Sequence, residues 1–501
     1  MKNSKLKNGS WIKSGMTEPW PNGSLTCYIS LGLMLLTTAC TVGPDFHHPE
    51  PISVKTYSVE SHPMAESGSS LHYTYNKTLP QKWWQLFNST QLNNLIQDGL
   101  KHNQNLAAAQ ATIRAARANF NAVTGSELPQ VGVNAAANIT RFDPAAYGIG
   151  AGVFPSTDFV LYNASVSVAY NLDLFGGLKR QAEASAAYVA YQAYQLQAAE
   201  LTLSANITTA VFKIAMLNEE IDATNAIINA QESILKIARE QLKTGGIAMY
   251  DVNNLEKDLL QTKASLPGLI KSQEQTKHLL AIYLGKAPAQ IDFSNFKLQN
   301  FKIVEEIPLL VPAKLAYQRP DILSAIALLH QASANVGVAT ANLYPSFSIS
   351  GSGGPIATQQ SWNAFSAQGW IWSVGPSLNL PIFNGGTLQA EKKAAIAELD
   401  NATANYRETV LIGLQNVADC LSALDLDNKT LITQVAYYKK SMDNLAISQK
   451  QFNAGGISVS QLLNVEILAN LALINKLQTQ GMRLSDTSAL FQSLGGGWWK
   501  N

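Results

Sequence analysis

The sequence is poor in cysteine and carries almost no net charge. Three cysteines occur among 501 residues, and 36 basic side chains stand against 35 acidic ones. A disulfide-stapled scaffold is excluded, because such domains are rich in cysteine. A charge balance near zero also gives no electrostatic reason to expect nucleic acid as a partner.

The hydrophobic run near the N-terminus is too short for a membrane-spanning helix. Residues 25–39 (LTCYISLGLMLLTTA) carry no charge, and residues 1–24 contain four lysines and one glutamate. This is the pattern of a secretory signal, whereas a spanning helix needs about 20 apolar residues. We predict a signal peptide over residues 1–39.

Cys40 directly follows small residues and resembles the acylated cysteine of a bacterial lipobox. Thr37 occupies the usual aliphatic position, with Leu36 one place earlier. The alternative is an ordinary signal peptide with an incidental cysteine nearby. We predict lipid attachment at Cys40, an N-terminal anchor segment over residues 40–89, and Cys420 as the remaining thiol.

The rest of the chain contains one unit twice. Three blocks recur in the same order: residues 118–134, 172–184 and 240–256 match residues 334–350, 380–394 and 450–466. Matched blocks in a fixed order indicate a structural tandem. We predict a first repeat over residues 90–300, a second over residues 301–494, and a C-terminal tail over residues 495–501.

Each repeat has two segments in which apolar and polar residues alternate, the period of a β-strand. They span residues 130–141 and 159–175 in the first repeat, and 346–353 and 370–383 in the second. The apolar face could cover a soluble core, or it could face lipid while the polar face lines a lumen. The signal peptide, the strand lengths and the aromatic residues near the strand ends favour lipid.

Four strands cannot close a barrel on their own. A sheet in lipid must close, because each unpaired backbone amide costs several kcal/mol there, and about eight strands are needed even for a filled barrel. Two copies would supply eight strands and three copies twelve. The small polar side chains on the lumen face favour three copies and an open pore, so we predict a homotrimer.

Helices account for most of the remaining chain. The two longest contain no proline and have about 65 residues each, or about 100 Å. Both carry coiled-coil seams and end at double glycines. The predicted helices span residues 90–123, 178–244, 249–284, 312–341, 388–454 and 459–493.

The sequence contains no catalytic or metal-binding constellation. The glycine-rich segments GIGAG (148–152) and GSGG (351–354) lie between strands, so we predict hairpin loops and not phosphate loops. His47 and His48 lack a third metal ligand at a suitable spacing. We predict no enzyme activity, no metal, and no cofactor other than the covalent lipid on Cys40.

Several motifs resemble those of a known family. They are CTVGPDFHHP (40–49), WWQLFNSTQLNNLI (83–96), RPD (319–321), WSVGPSLNLPIFNGG (372–386) and LGGGWW (494–499). The chain resembles the TolC-type outer-membrane efflux proteins, specifically the lipid-anchored OprM/NodT-like branch that serves RND-type tripartite pumps. Ile326 and Asn171 depart from that branch, which often has Glu at both positions.

The resemblance implies a trimeric tunnel, with a twelve-stranded barrel in the outer membrane and an α-helical conduit in the periplasm. A periplasmic adaptor and an inner-membrane pump would be its partners. The expected function is export of small molecules such as drugs and toxic compounds. A duct for type I protein or peptide secretion is one alternative, and a coiled-coil scaffold without a pore is another.

The double glycines Gly245-Gly246 and Gly455-Gly456 end helices of nearly equal predicted length. Two helices of equal length that start at the same membrane level end at the same depth. A trimer, with two such helices in each copy, would therefore have six chain reversals in one ring. We predict that this ring docks the adaptor. Asp443 is a possible gate residue, and a plain solvated helix face is the alternative for it.

Overall fold

The computed structural model describes residues 41–50, 54, 56–57, 71–75, 77, 79–148, 155–290, 293, 296–309, 312–315, 318–358 and 369–497. The predicted signal peptide and Cys40 lie outside these residues. The helices are α1 (Thr90–His102), α2 (Gln104–Gly125), α3 (Gly177–Lys243), α4 (Met249–Tyr283), α5 (Pro312–Leu315), α6 (Pro320–Ala341), α7 (Thr387–Asn453) and α8 (Val459–Ser493). The strands are β1 (His72–Tyr75), β2 (Gln130–Phe142), β3 (Thr157–Leu172), β4 (Glu306–Leu309), β5 (Ser346–Thr358) and β6 (Trp370–Asn379).

The long helices match between the two repeats. Helices α3 and α7 each have 67 residues, and α4 and α8 each have 35. At ~1.5 Å per residue, these lengths are about 100 Å and about 50 Å. The predicted bounds of all four helices agree with the structure to within one residue. The repeat in the sequence is therefore a repeat in the structure.

The chain forms two compact units, and each unit takes segments from both repeats. The first unit contains residues 127–180 and 337–386, with the described residues before Pro44, and it holds β2, β3, β5 and β6. The second contains residues 44–126, 181–336 and 387–501, and it holds most of the helical residues together with β1 and β4.

The sheet of the first unit is antiparallel, with the strand order β2–β3–β5–β6. One row of paired residues across it is Val133, Val166, Gly353 and Trp372, and the next row is Gly132, Ser167, Ser352 and Ser373. Successive residues of a strand point to opposite faces. The sheet therefore has one apolar and one hydroxyl-rich face, as predicted, and the Oγ atoms of Ser352 and Ser373 lie 3.1 Å apart.

Both the apolar face and the two edges of this sheet are open in the single chain. Val133 is 79% exposed and Trp372 is 77% exposed. Strands β2 and β6 each pair on one side only, among the residues that the structure describes. Open edges beside an exposed apolar face require a further partner.

The prediction of a hairpin loop at GSGG (351–354) is wrong. These residues lie within β5, where Gly351 pairs with Val374 and Gly353 pairs with Trp372. A Cβ at Gly354 would overlap the backbone of the adjacent β3. The glycines therefore serve close strand packing and not a turn. Residues 149–152 of the other glycine-rich segment lie outside the described residues.

The strand bounds shift by one to five residues from those predicted, and the largest shift is in β5, which ends at Thr358 and not at residue 353. The last strand ends at Asn379 and not at residue 383. Pro381 follows shortly, and proline has no amide to donate to a ladder. Strand β3 covers 157–172 where 159–175 was expected, and β2 is longer than expected by one residue.

The predicted helix over 90–123 is two helices, because Asn103 interrupts it. The Asn103 side chain accepts hydrogen bonds from the backbone N–H groups of Asn105 and Leu106, at 3.0 and 3.2 Å, and so caps α2. Its Nδ2 donates to the carbonyl oxygen of Tyr283, 3.0 Å away. The helix predicted over 312–341 is likewise divided, into α5 and α6, and α6 begins at Pro320, as favoured at a first helical position.

The second unit also contains a short parallel pair, β1 with β4, that was not predicted. Beside it lies a large core in which Trp83 packs edge-on against Phe491, with ring centroids 5.8 Å apart. Phe87 packs in the same way against Phe212, at 4.9 Å. The paired tryptophans of the sequence are therefore core residues.

Candidate functional site

Helix α3 ends in a Schellman motif at the first double glycine. The Gly246 amide donates to the Gln241 carbonyl oxygen at 2.8 Å, and the Gly245 amide donates to the Leu242 carbonyl oxygen at 3.1 Å. Gly245 has φ +76°. This left-handed conformation is costly for a residue with a Cβ.

Helix α7 ends in the same motif at the second double glycine. Gly456 donates to the Gln451 carbonyl oxygen at 2.8 Å, Gly455 donates to that of Phe452 at 2.9 Å, and Gly455 has φ +75°. A Cβ built at Gly245 or Gly455 would meet no atom within 4 Å. The two repeats therefore present matching reversals, and the space beside both is open.

The residues after the two turns differ in surface chemistry. In the second repeat Ser458 and Gln461 form a capping box, whereas Ala248 offers no side-chain cap in the first. The first turn instead exposes Met249 and Tyr250, at 59% and 74%. The backbone of the reversal is thus repeated, while the side chains that it presents are not.

The predicted gate residue, Asp443, lies on an exposed part of α7. Its Oδ2 is 3.4 Å from the Nζ of Lys440 on the same helix. Asp443 lies 12 residues before Gly455, about 18 Å along the helix axis at ~1.5 Å per residue. A gating role for Asp443 stays a prediction.

The residues directly after Cys40 are fixed within the first unit. The Val42 amide donates to the carbonyl oxygen of Phe175 at 3.1 Å, and Arg180 Nε donates to the carbonyl oxygen of Val42 at 3.3 Å. Gly43 follows with φ +95°. The backbone next to the predicted acylation site therefore lies just beyond the end of β3.

The adjacent acids Glu219 and Glu220 on α3 have separate structural partners. Glu219 Oε2 accepts from the backbone amide of Leu298 at 2.8 Å. Glu220 Oε1 accepts from Gln478 Nε2 on α8, also at 2.8 Å, and burial raises the pKa of Glu220. Adjacent residues of a helix face different directions, so the two acids reach different partners.

Among the residues that the structure describes, two helices have the length and hydropathy of a membrane span, namely α6 and α7. Half of the apolar window in α6 is buried within the protein. The exposed apolar face of the four-stranded sheet is the stronger membrane-facing feature.

Comparison with known proteins agrees with this arrangement. The family model for outer membrane efflux proteins matches the chain twice, over residues 95–286 and 311–496. The chain belongs to the outer membrane efflux protein family. Its two matches lie one in each predicted repeat, apart from two residues at the C-terminal end.

Individual relatives cover nearly the whole chain. It is similar to SilC of Salmonella typhimurium, a probable outer membrane lipoprotein, with 25% identity over 474 residues that cover 94% of this chain and 98% of SilC. It is 26% identical over 478 residues to the outer membrane protein OprJ of Pseudomonas aeruginosa, covering 94% and 96% of the two chains. The solved structure of the outer-membrane channel OprN superimposes with a TM-score of 0.79 at 28% identity, covering 92% of this chain and all of that one.

Family membership confirms several predictions. The chain is an outer-membrane efflux channel of the TolC type, it is not an enzyme, and its efflux family model is repeated within the chain.

Proposed function

We propose that this protein is the outer-membrane duct of a tripartite efflux system and works as a homotrimer. It receives small molecules, drugs and toxic compounds among them, from an inner-membrane pump through a periplasmic adaptor. A lipid on Cys40 holds it in the outer membrane in addition to its strands.

The open sheet is the observation that carries this proposal. Strand β6 of one copy has an unpaired edge that can accept β2 of the next copy, and three copies of four strands give a closed twelve-stranded barrel. Closure pairs the backbone groups that lipid cannot satisfy. The apolar row with Val133 and Trp372 then meets lipid, and the row with Ser167, Ser352 and Ser373 meets the lumen.

The lumen face supports a wide and weakly selective duct. Its side chains are mainly glycine, serine, asparagine and alanine, which are too small to fill the interior of a barrel. Few charged groups lie along it, so little electrostatic selection is expected. Substrate choice therefore belongs to the pump partner.

The double-glycine turns are the proposed docking surface for the adaptor. Both are open, both have the same backbone geometry, and each follows a helix of the same length. Met249 and Tyr250, 59% and 74% exposed, give the first turn a larger exposed apolar surface than Val459, 37% exposed, gives the second. The adaptor is therefore expected to meet two related but unequal surfaces on each copy.

A deletion strain tests the function. The strain should become more susceptible to some members of a panel of drugs, dyes and metal ions, and the wild-type gene should restore growth. Secretion of proteins into the medium should be unchanged. Loss of a secreted protein with unchanged susceptibility would instead identify a type I secretion duct, and absence of conductance in planar bilayers would identify a scaffold without a pore.

A further inference from the structure

The two repeats are equivalent residue by residue, with one constant offset before the strand hairpin turns and another after it. Helix α2 and strand β2 lie 216 positions before α6 and β5, and the members of each pair have equal lengths, 22 residues for the helices and 13 for the strands. Helices α3 and α4 lie 210 positions before α7 and α8. The second repeat is therefore six residues shorter between β5 and α7.

Buried side chains obey the same offsets. Asn103 Nδ2 donates to the carbonyl oxygen of Tyr283, the last residue of α4, at 3.0 Å. Arg319 Nη1 donates to the carbonyl oxygen of Ser493, the last residue of α8, at 2.7 Å. Arg319 stands 216 positions after Asn103, and Ser493 stands 210 positions after Tyr283. The repeat therefore extends from the backbone to the partners of individual side chains.

The strand ladders obey the offsets too. Gln130 of β2 pairs with Ala169 of β3. The two offsets convert this pair into Ser346 with Asn379, which is the pairing found between β5 and β6. A third ladder, β3 with β5, joins the first repeat to the second and has Ala169 opposite Ser350. The equivalent ladder from the second repeat to a first repeat can form only with another copy, because β6 and β2 are the open edges.

We infer that β6 pairs with β2 of the next copy in the register of the β3–β5 ladder, so that Asn379 lies opposite Asn134 of the next copy. Asn379 is the equivalent of Ala169, and Asn134 is the equivalent of Ser350. This inference rests on the proposed trimer and adds the residues that meet in it. Nine of the ten residues of β6, residues 371–379, then lie opposite residues of β2. Every junction between neighbouring repeats of the barrel has one geometry.

The register brings like faces of the two strands together. On the lipid side the facing pairs are Val374 with Ile139, Leu378 with Ala135, and Leu380 with Val133. On the lumen side they are Ser373 with Thr140, Ser377 with Ala136, and Asn379 with Asn134. A slip of one residue would place each apolar side chain beside the lumen face. The offsets were taken from lengths and ladders alone, so this match is an independent check.

The register also fixes the tilt of the strands. The row of paired residues that begins at Val133 and ends at Trp372 continues to Arg141 of the next copy. The row has then climbed eight residues of β2, about 26 Å, over four strand spacings, about 19 Å. The strands therefore tilt by about 54°, steeper than the roughly 35–45° of other outer-membrane barrels. Twelve strands at this tilt enclose a barrel about 31 Å wide between backbones, against about 24 Å at a tilt of about 40°.

Paired cysteines under oxidising conditions test the register. In a Cys420→Ala background, Asn134→Cys with Asn379→Cys should give covalent dimers and trimers on denaturing gels, and so should Thr140→Cys with Ser373→Cys. The crossed combinations are Asn134→Cys with Ser373→Cys and Thr140→Cys with Asn379→Cys. They place the two sulfurs six residues, about 20 Å, out of register and should give no covalent oligomer.

Ala169→Cys with Ser350→Cys is the matched control, because it is the equivalent pair inside one chain. It should lose both free thiols on oxidation and run as a monomer. If the crossed combinations cross-link in place of the direct ones, the copies meet in another register and the inference is overturned, while the trimeric duct stands. If the control oxidises and the wild type conducts ions in planar bilayers, the absence of any intermolecular cross-link overturns the inference as well.

Discussion

The Nη1 atom of Arg319 donates a hydrogen bond to the carbonyl oxygen of Ser493, 2.7 Å away, in the last turn of α8. The same guanidinium binds both carboxylate oxygens of Asp321 at the start of α6, at 3.0 and 2.7 Å. Arg319 is 7% exposed. One buried side chain thus supplies a hydrogen-bond donor to the carbonyl oxygen at the end of α8 and holds that end against the beginning of α6. This geometry gives the RPD motif a structural role.

Replacing Arg319 should therefore destabilise the folded protein. Arg319→Leu should lower the free energy of unfolding by about 3 kcal/mol, because it leaves the Ser493 carbonyl without its donor and Asp321 without its partner. Thermal unfolding in detergent measures the change. Arg239→Leu is the matched control, since Arg239 is exposed and pairs with Glu256 at the surface; it should cost at most about 1 kcal/mol. Equal losses in both variants would contradict the role of Arg319.

Glu220 should make stability depend on pH. Burial raises its folded-state pKa, so its contribution is complete at low pH and is lost as the pH rises through that value. Glu220→Gln keeps an acceptor for Gln478 and removes the buried charge. The variant should match the wild type near pH 4 and melt higher at pH 8. Glu220→Ala, which removes the acceptor, should melt lower than Glu220→Gln at both pH values; a Gln variant less stable at pH 8 would refute this account.

The turn glycines should matter for docking more than for folding. Gly245→Leu and Gly455→Leu place a side chain in open space, and each costs about 1–2 kcal/mol of left-handed strain. We expect normal outer-membrane levels and normal assembly, but loss of efflux and of cross-linking to the adaptor. Susceptibility assays and in vivo cross-linking measure both effects.

Gly268→Leu is the control for the turn variants. Gly268 lies on α4, has open space at its Cβ position and does not have a positive φ. Leu there should leave efflux intact. Unchanged efflux in the Gly245→Leu, Gly455→Leu double variant, at normal protein levels, would mean that the glycines only end helices and that docking lies elsewhere.

Cys40→Ser should abolish fatty-acid labelling and slow processing of the signal peptide. The strands should still retain part of the protein in the membrane, because one acyl anchor supplies only part of the binding. Metabolic labelling with palmitate, with Cys420→Ser as the control that keeps the label, measures the first effect. Equal incorporation into wild type and Cys40→Ser would show that Cys40 is not the acylated residue.

The sequence predicted those elements that have a long, regular period. Helices α3, α4, α7 and α8 were placed within one residue, because each has a sustained apolar seam and a glycine or capping signal at its end. The two-faced sheet was also predicted, since a period of two is directly visible in its strands.

The sequence did not predict features that depend on distant partners. Asn103 caps α2 locally, but its side chain is also held by the carbonyl of Tyr283, far along the chain. The β1–β4 pair joins two four-residue strands with no period of their own. Arg483 looked like an ordinary helix residue, because only tertiary packing, including its hydrogen bond to the distant Val304 carbonyl, buries it. Local pattern carries no information on such contacts.

Closure of the sheet between copies is the central claim, and disulfide cross-linking between β2 and β6 tests it most directly. Within one chain these strands are three strand spacings apart, about 14 Å, which is too far for a disulfide. In a Cys420→Ala background, Asn134→Cys in β2 would be combined in turn with Ser373→Cys, Ser377→Cys or Asn379→Cys in β6. We predict that one register yields covalent dimers and trimers on denaturing gels, with nothing larger. A ladder that continues beyond three copies, or no cross-link in any register from a protein that still conducts ions, would contradict the trimeric barrel.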